Sequence, residues 1–107
     1  MRGSLDFANV NTAALAALPA VFCRLLPGGK IDGHEFIALN PSRNDKRPGS
    51  FKIRLRGARA GRWSDFATGD KGGDPVSLVA YLEDVSQVEA AKRLARMLGI
   101  HVWRDSR

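Results

Sequence analysis

The side chains able to do chemistry in this chain are mostly basic, and they crowd into one stretch. Residues 40–62 carry Arg43, Lys46, Arg47, Lys52, Arg54, Arg56, Arg59 and Arg62 against Asp45 alone. Over all 107 residues, 17 Lys and Arg face 11 Asp and Glu, a net charge of +6, so the chain outside that stretch is close to neutral. Cations concentrated in this way read as the footprint of a polyanion, of which nucleic acid is the usual one, with a solvated, solubilising face as the alternative. Residues 50–56 alternate strictly, with Phe51, Ile53 and Leu55 on one side and Lys52, Arg54 and Arg56 on the other. A strand with that pattern has one buried face and one cationic face. Trp63 alternates in the next strand-like run, either as a surface on which a base stacks or as a core residue.

Catalytic chemistry is thinly represented. There are two histidines, His34 and His101, and no nucleophile elbow or Walker-type phosphate loop accompanies them. Residues 68–74 (TGDKGGD) are glycine-rich and lead into a helix. Such a segment either cradles phosphate at the helix N-terminus or makes a tight turn at positive φ; Asp70 and Asp74 favour the turn. Asp65, Asp70 and Asp74 do not have the spacing of a calcium loop. The single cysteine, Cys23, excludes an internal disulfide and a multi-cysteine metal site, and it fits a reducing compartment. The expectation is a non-enzymatic protein without a cofactor.

These residues need a scaffold. With 44% hydrophobic and 7% aromatic residues, the chain can bury one modest core built mainly of Leu, Ala, Val and Ile. Asn11-Thr12 predicts the N-cap of a first helix, and Pro19 ends it or opens a second one reaching Leu26, where Pro27-Gly28-Gly29 stops it. The apolar run 13–26 follows Asp6, contains Pro19 and Arg24, and is too short to span a bilayer. It reads as core helix in a cytoplasmic protein that does not contact membrane. Residues 30–33 read as a turn, and strands follow at 36–39, 50–56 and 62–66 with a basic loop at 57–61. Asp74 with Pro75 at N1, and Ser86 with Glu89 at N3, predict two further helices. The second buries Val88, Ala91, Leu94, Ala95 and Leu98 and stops at Gly99. The fold class is α+β: a small three- to four-stranded antiparallel sheet with N-terminal and C-terminal helices. An N-terminal helical segment, 1–33, joins residues 34–107 in a single domain.

Three stretches, in order, resemble a known family. LNPSRNDKRPGSF at 39–51 resembles the C-P-F-H-N-E-K-x-P-S-F segment of the zinc-ribbon (Cys-His-Cys-Cys) domain of bacterial and phage DNA primases. WSDFATGDKGGDPVSL at 63–78 is similar to that family's C-F-G-C-G-x-G-G-D-x-I-x-F, and residues 86–100 to its closing S-F-x-E-A-x-x-x-L-A-x-x-x-G-I helix. The resemblance covers about residues 35–100 with one extra residue at Gly49, and it implies a zinc-ribbon-like sheet. The family's four zinc ligands fall on Asn40, Arg43, Asp65 and Thr68, none of them Cys or His, so a degenerate form without the metal is implied. An Arg43–Asp65 salt bridge, with hydrogen bonds from Asn40 and Thr68, is expected to join the segments zinc would have joined.

In primases this domain is not the polymerase; it is implicated in recognising single-stranded template and in starting primers. The resemblance therefore implies single-stranded DNA, with RNA left open, bound by Arg47, Lys52, Arg54, Arg56, Arg59 and Arg62, with Trp63 as the stacking candidate and Trp103 a weaker one. No acidic polymerase core fits in the remaining residues. The expected function is a module of replication priming, either part of a larger primase or primase–helicase or a stand-alone accessory of a phage, plasmid or other mobile element. The alternative is a protein-interaction module docking on a primase, helicase or polymerase subunit.

Overall fold

A computed structural model describes residues 5–103. Strand alternation builds its centre: β1 (Lys30–Asp32), β2 (Glu35–Ala38), β3 (Phe51–Arg54), β4 (Trp63–Asp65) and β5 (Lys71–Gly72) form one sheet in sequence order, every pair antiparallel. Helices α1 (Phe7–Ala16) and α2 (Ala20–Leu25) precede the sheet, and α3 (Pro75–Glu83) and α4 (Gln87–Leu98) follow it. The class is α+β, with five strands where three to four were expected. The two short edge strands lie in segments read as turns. All three β1 residues are exposed, so no alternation announces it. The two-residue β5 owes its form to pairing with β4, Trp63 opposite Gly72 and Ser64 opposite Lys71.

Phe36, Ala38, Phe51, Ile53 and Trp63 line the buried face of the sheet, and the helices cover it. Removing these apolar surfaces from water is the main force holding the layers together. Phe22 of α2 lies on Phe36, ring centroids 6.0 Å apart, and Tyr81 of α3 lies on Trp63 at 4.6 Å. Helix α4 buries Ala90, Ala91, Leu94 and Ala95, and α1 buries Val10 and Ala14. The alanines are small enough to let the helices approach closely. Val88, expected on this buried stripe, is exposed, because the stripe centres on Ala91, Leu94 and Ala95 and leaves Val88 in the first turn at its margin.

Helix α1 starts about one and a half turns earlier than expected. Asp6 caps it by accepting from Asn9 N at 3.0 Å. Asn11, read as a cap, lies inside α1, and its Oδ1 accepts from Val76 N in the first turn of α3 at 2.9 Å. It thus caps a different helix across the core. Asp74 and Ser77 close a reciprocal capping box with Pro75 at N1, and Ser86 accepts from Glu89 N at 3.1 Å. At the chain ends, Leu5 pairs with Trp103 and Asp6 N donates to Val102 O at 2.8 Å, tying the first helical segment to the C-terminal one. The outer limits of the expected segments, residues 1 and 107, lie outside the described residues. Among the described residues, no helix is long and apolar enough to cross a membrane.

Candidate nucleic-acid interface

Among the described residues no helix covers the sheet's second face, and that face carries the cations. Lys52 stands between Ile37 and Ser64, and Lys71 stands beyond Ser64 on β5, in one cross-strand row. In the next row Glu35 is opposite Arg54. A bulge completes that row. Gly61 N donates to Arg54 O at 2.8 Å and Arg54 N donates to Arg62 O at 2.8 Å, so two residues of one strand oppose Arg54. Gly61 has φ +89, and a Cβ there would lie 3.0 Å from Leu15 and Pro75. Only glycine meets both demands, and the bulge turns Arg62 to the face that Arg54 occupies.

The product is an open cleft of about 700 Å³ whose lining includes Glu35, Lys52, Arg54, Arg59, Arg62 and Lys71. Lys52 has a partner in Glu35 at 3.9 Å. Among the described residues, no carboxylate lies in ion-pair range of Arg54, Arg59, Arg62 or Lys71. Like charges on neighbouring strands repel, a cost that an anion in the cleft would remove.

Four of the basic residues singled out from sequence thus meet at one site: Lys52, Arg54, Arg59 and Arg62. Arg56 lies beyond the end of β3 and Arg47 in the loop before it; both are exposed and neither lines the cleft. Trp63 needs a correction as a stacking surface. It is 5% exposed, shares the core face with Ile53, packs on Phe51 at 6.2 Å, and donates its indole N–H to Ser77 Oγ at 3.0 Å. It nonetheless counts among the residues lining the cleft. Gly72 is part of the reason for its burial: a Cβ there would lie 2.5 Å from Trp63 Nε1. The glycine-rich segment 68–74 therefore makes room for an indole. Trp103 is half-buried, with Lys92 Nζ 5.8 Å from its ring centre. Lys71 was missed because a two-residue strand has no periodicity to read; its signal is the register, which sets it beside Ser64.

Asn40, Arg43 and Asp65 form a second polar site, at the margin of the core. Asp65 is buried and all its acceptor capacity is used. Oδ2 accepts from Arg43 Nε at 2.7 Å and Asn40 Nδ2 at 2.8 Å; Oδ1 accepts from Ala67 N at 2.9 Å and Arg43 Nη2 at 3.3 Å. Arg43 also reaches Ser50 Oγ at 2.8 Å and Asp45 at 3.3 Å. Asn40 Nδ2 also donates to the Tyr81 hydroxyl at 2.9 Å, which donates to Asp70 Oδ2 at 2.7 Å. The expected Arg43–Asp65 fork and the Asn40 bond are present. Thr68 does not join: its hydroxyl is exposed and accepts from Asp70 N at 3.2 Å, because the turn after Asp65 bends it back on itself.

The Arg43 guanidinium holds the Asp65 carboxyl well below the usual carboxylate range; Asn40 and Ala67 N add to this, against burial, which pushes the other way. Burial is the first cause raising Tyr81. Zinc does not fit this site. Among the four aligned positions Asp65 alone is a carboxylate, and the permanent cation of Arg43 already sits on it, while Asn40 and Thr68 offer neutral oxygens in place of thiolate or imidazole. Compared with models of known protein families and with curated proteins, the chain finds no match.

Proposed function

We propose that this chain is a non-catalytic module that binds single-stranded DNA in replication priming, a relative of the primase zinc ribbons in which an ion pair stands in for the metal. The observation that carries the reading is the gathering of Lys52, Arg54, Arg59, Arg62 and Lys71, against Glu35 alone, round one open cleft on the second face of the sheet. The meeting of Asn40, Arg43 and Asp65, three of the four positions that align with zinc ligands, supports the kinship. Phosphates entering the cleft would release counterions and quench the repulsion among the five cations, and the arginine forks suit phosphate oxygens. RNA presents the same backbone charge.

The test is fluorescence anisotropy of a labelled single-stranded oligonucleotide across salt concentrations. A linear fall of log K with log salt, at roughly 0.7 per phosphate contact, is expected, with a slope equivalent to about three contacts or more. Absence of binding at low salt overturns the reading. One observation favours docking on a protein of the replication machinery as a second reading. The edge strand β1 borders an apolar groove of about 500 Å³, beside which Ile31 and Leu39 are 54% and 47% exposed. Co-purification of a replication protein that is lost on Ile31→Lys, with DNA binding absent, decides for it.

A further inference from the structure

We infer that Phe66 is the surface on which an unpaired base stacks, and that it gives the cationic face its preference for a single strand. This inference rests on the nucleic-acid reading above. Phe66 is 72% exposed, more than any other large apolar side chain among the described residues. It follows Asp65 at the end of β4, and its N–H donates to Ser50 O at 2.9 Å, continuing the β3–β4 pairing by one step. Alternation then sets it on the side of Ser64, which lines the cleft. Two residues along one strand face are about 7 Å apart, so a base on the ring leaves its neighbouring phosphates within reach of Lys52 and Lys71.

The ring is also held on a pinned backbone. Asp65 is fixed by Arg43 and Asn40, Ala67 N is bound to Asp65 Oδ1, and Thr68 N and Gly69 N both donate to Asp65 O, at 3.2 and 2.8 Å. An aromatic ring on a pinned backbone loses only its side-chain rotations when a planar ligand lands on it, and stacking on an aromatic beside a basic groove is how single strands are held without sequence preference. The other aromatic side chains of the sheet, Phe36, Phe51 and Trp63, are buried. The ion pair at the former ligand positions thereby acquires a task besides stability: it positions Phe66.

The test measures a labelled oligo(dT) and a duplex of equal length, by anisotropy, against wild type, Phe66→Ala, Phe66→Leu and Phe66→Trp. Phe66→Ala and Phe66→Leu are expected to weaken the single strand by about 5- to 150-fold per stacked base, with the salt slope and the duplex affinity unchanged. Phe66→Trp retains the affinity and adds a fluorescence quenched by the oligonucleotide. Because the ring faces solvent, all four proteins should melt alike. If wild type binds the single strand and Phe66→Ala binds it equally well, or Phe66→Leu keeps full affinity, or duplex binding falls in parallel, the stacking role is overturned while the cationic cleft stands. If wild type binds no single strand, the functional reading fails and this inference with it.

Discussion

Arg43 and Arg54 come from the same basic run, eleven positions apart, and the fold uses them in opposite ways. Arg43 turns inward from the loop between β2 and β3, where a fork onto Asp65 and a bond to Ser50 satisfy it. Arg54 faces water on β3, opposite Glu35 and beside Arg62, with no carboxylate of the described residues in ion-pair range. The difference teaches that a run of basic residues is not one feature. A cation with a buried partner is part of the scaffold, and its removal strands a charge. A cation left among its own kind is poised for a ligand, and its removal relieves repulsion. Mutations should therefore separate the regions cleanly, one losing stability and the other losing affinity.

The largest effect expected is on the scaffold side. Asp65→Ala removes the carboxylate that Arg43 and Asn40 share and should cost about 3–5 kcal/mol, read as a lower urea midpoint with the m-value retained. Arg43→Ala should cost somewhat less, because its guanidinium is partly solvated. A midpoint unchanged in Asp65→Ala would erase the contrast. The same pair sets the acid limit of the fold. The folded Asp65 carboxyl titrates below its ordinary value, which is about 3.9 in an unfolded chain. Its contribution is therefore complete above about pH 5 and is lost as pH falls through the unfolded value towards the folded one. Thermal melts at pH 6 and pH 2.5 should show wild type losing more stability than Asp65→Asn, whose side chain cannot titrate.

On the other face the readout changes. Arg54→Ala, Arg62→Ala and Lys71→Ala should each lower the single-strand salt slope by about 0.7, and should leave the melting temperature unchanged or slightly raised. Loss of stability in these variants would show that the cleft cations also serve the scaffold. The smallest effect sharpens the boundary at Trp63. Trp63→Phe keeps the ring in the core but loses the bond to Ser77 Oγ, and should cost about 1 kcal/mol without altering DNA affinity. A loss of affinity there would return Trp63 to the interface.

Much of this division was readable in advance where it rests on local rules. Alternation in 50–56 separated Phe51 and Ile53 from Lys52 and Arg54, and the structure buries the first pair and leaves the second on the open face. Asp74-Pro75 and Ser86 marked two helix starts, since a side-chain oxygen that satisfies free amides works within one turn. The Arg43–Asp65 pair was legible only because complementary charges occupied positions expected to converge. What stayed hidden depends on neighbours distant in sequence. Asn11 reads as a cap by type and is one, but for the helix that starts at Pro75. Trp63 and Phe66 are both aromatic, three residues apart, and nothing local says which one faces water.

The amino-acid sequence by itself determined the α+β class, the two-faced β3 strand, the caps of α3 and α4, and the presence of far more positive charge than the chain can neutralise internally. Each of these follows from side-chain chemistry acting over a few residues. The tertiary structure alone decided which cations gather round one cleft, that Lys71 joins them through a two-residue strand, and that Trp63 is covered while Phe66 is left bare. Those outcomes depend on strand register, a glycine bulge and helix packing, which balance contacts between residues far apart along the chain, and no local pattern carries that information.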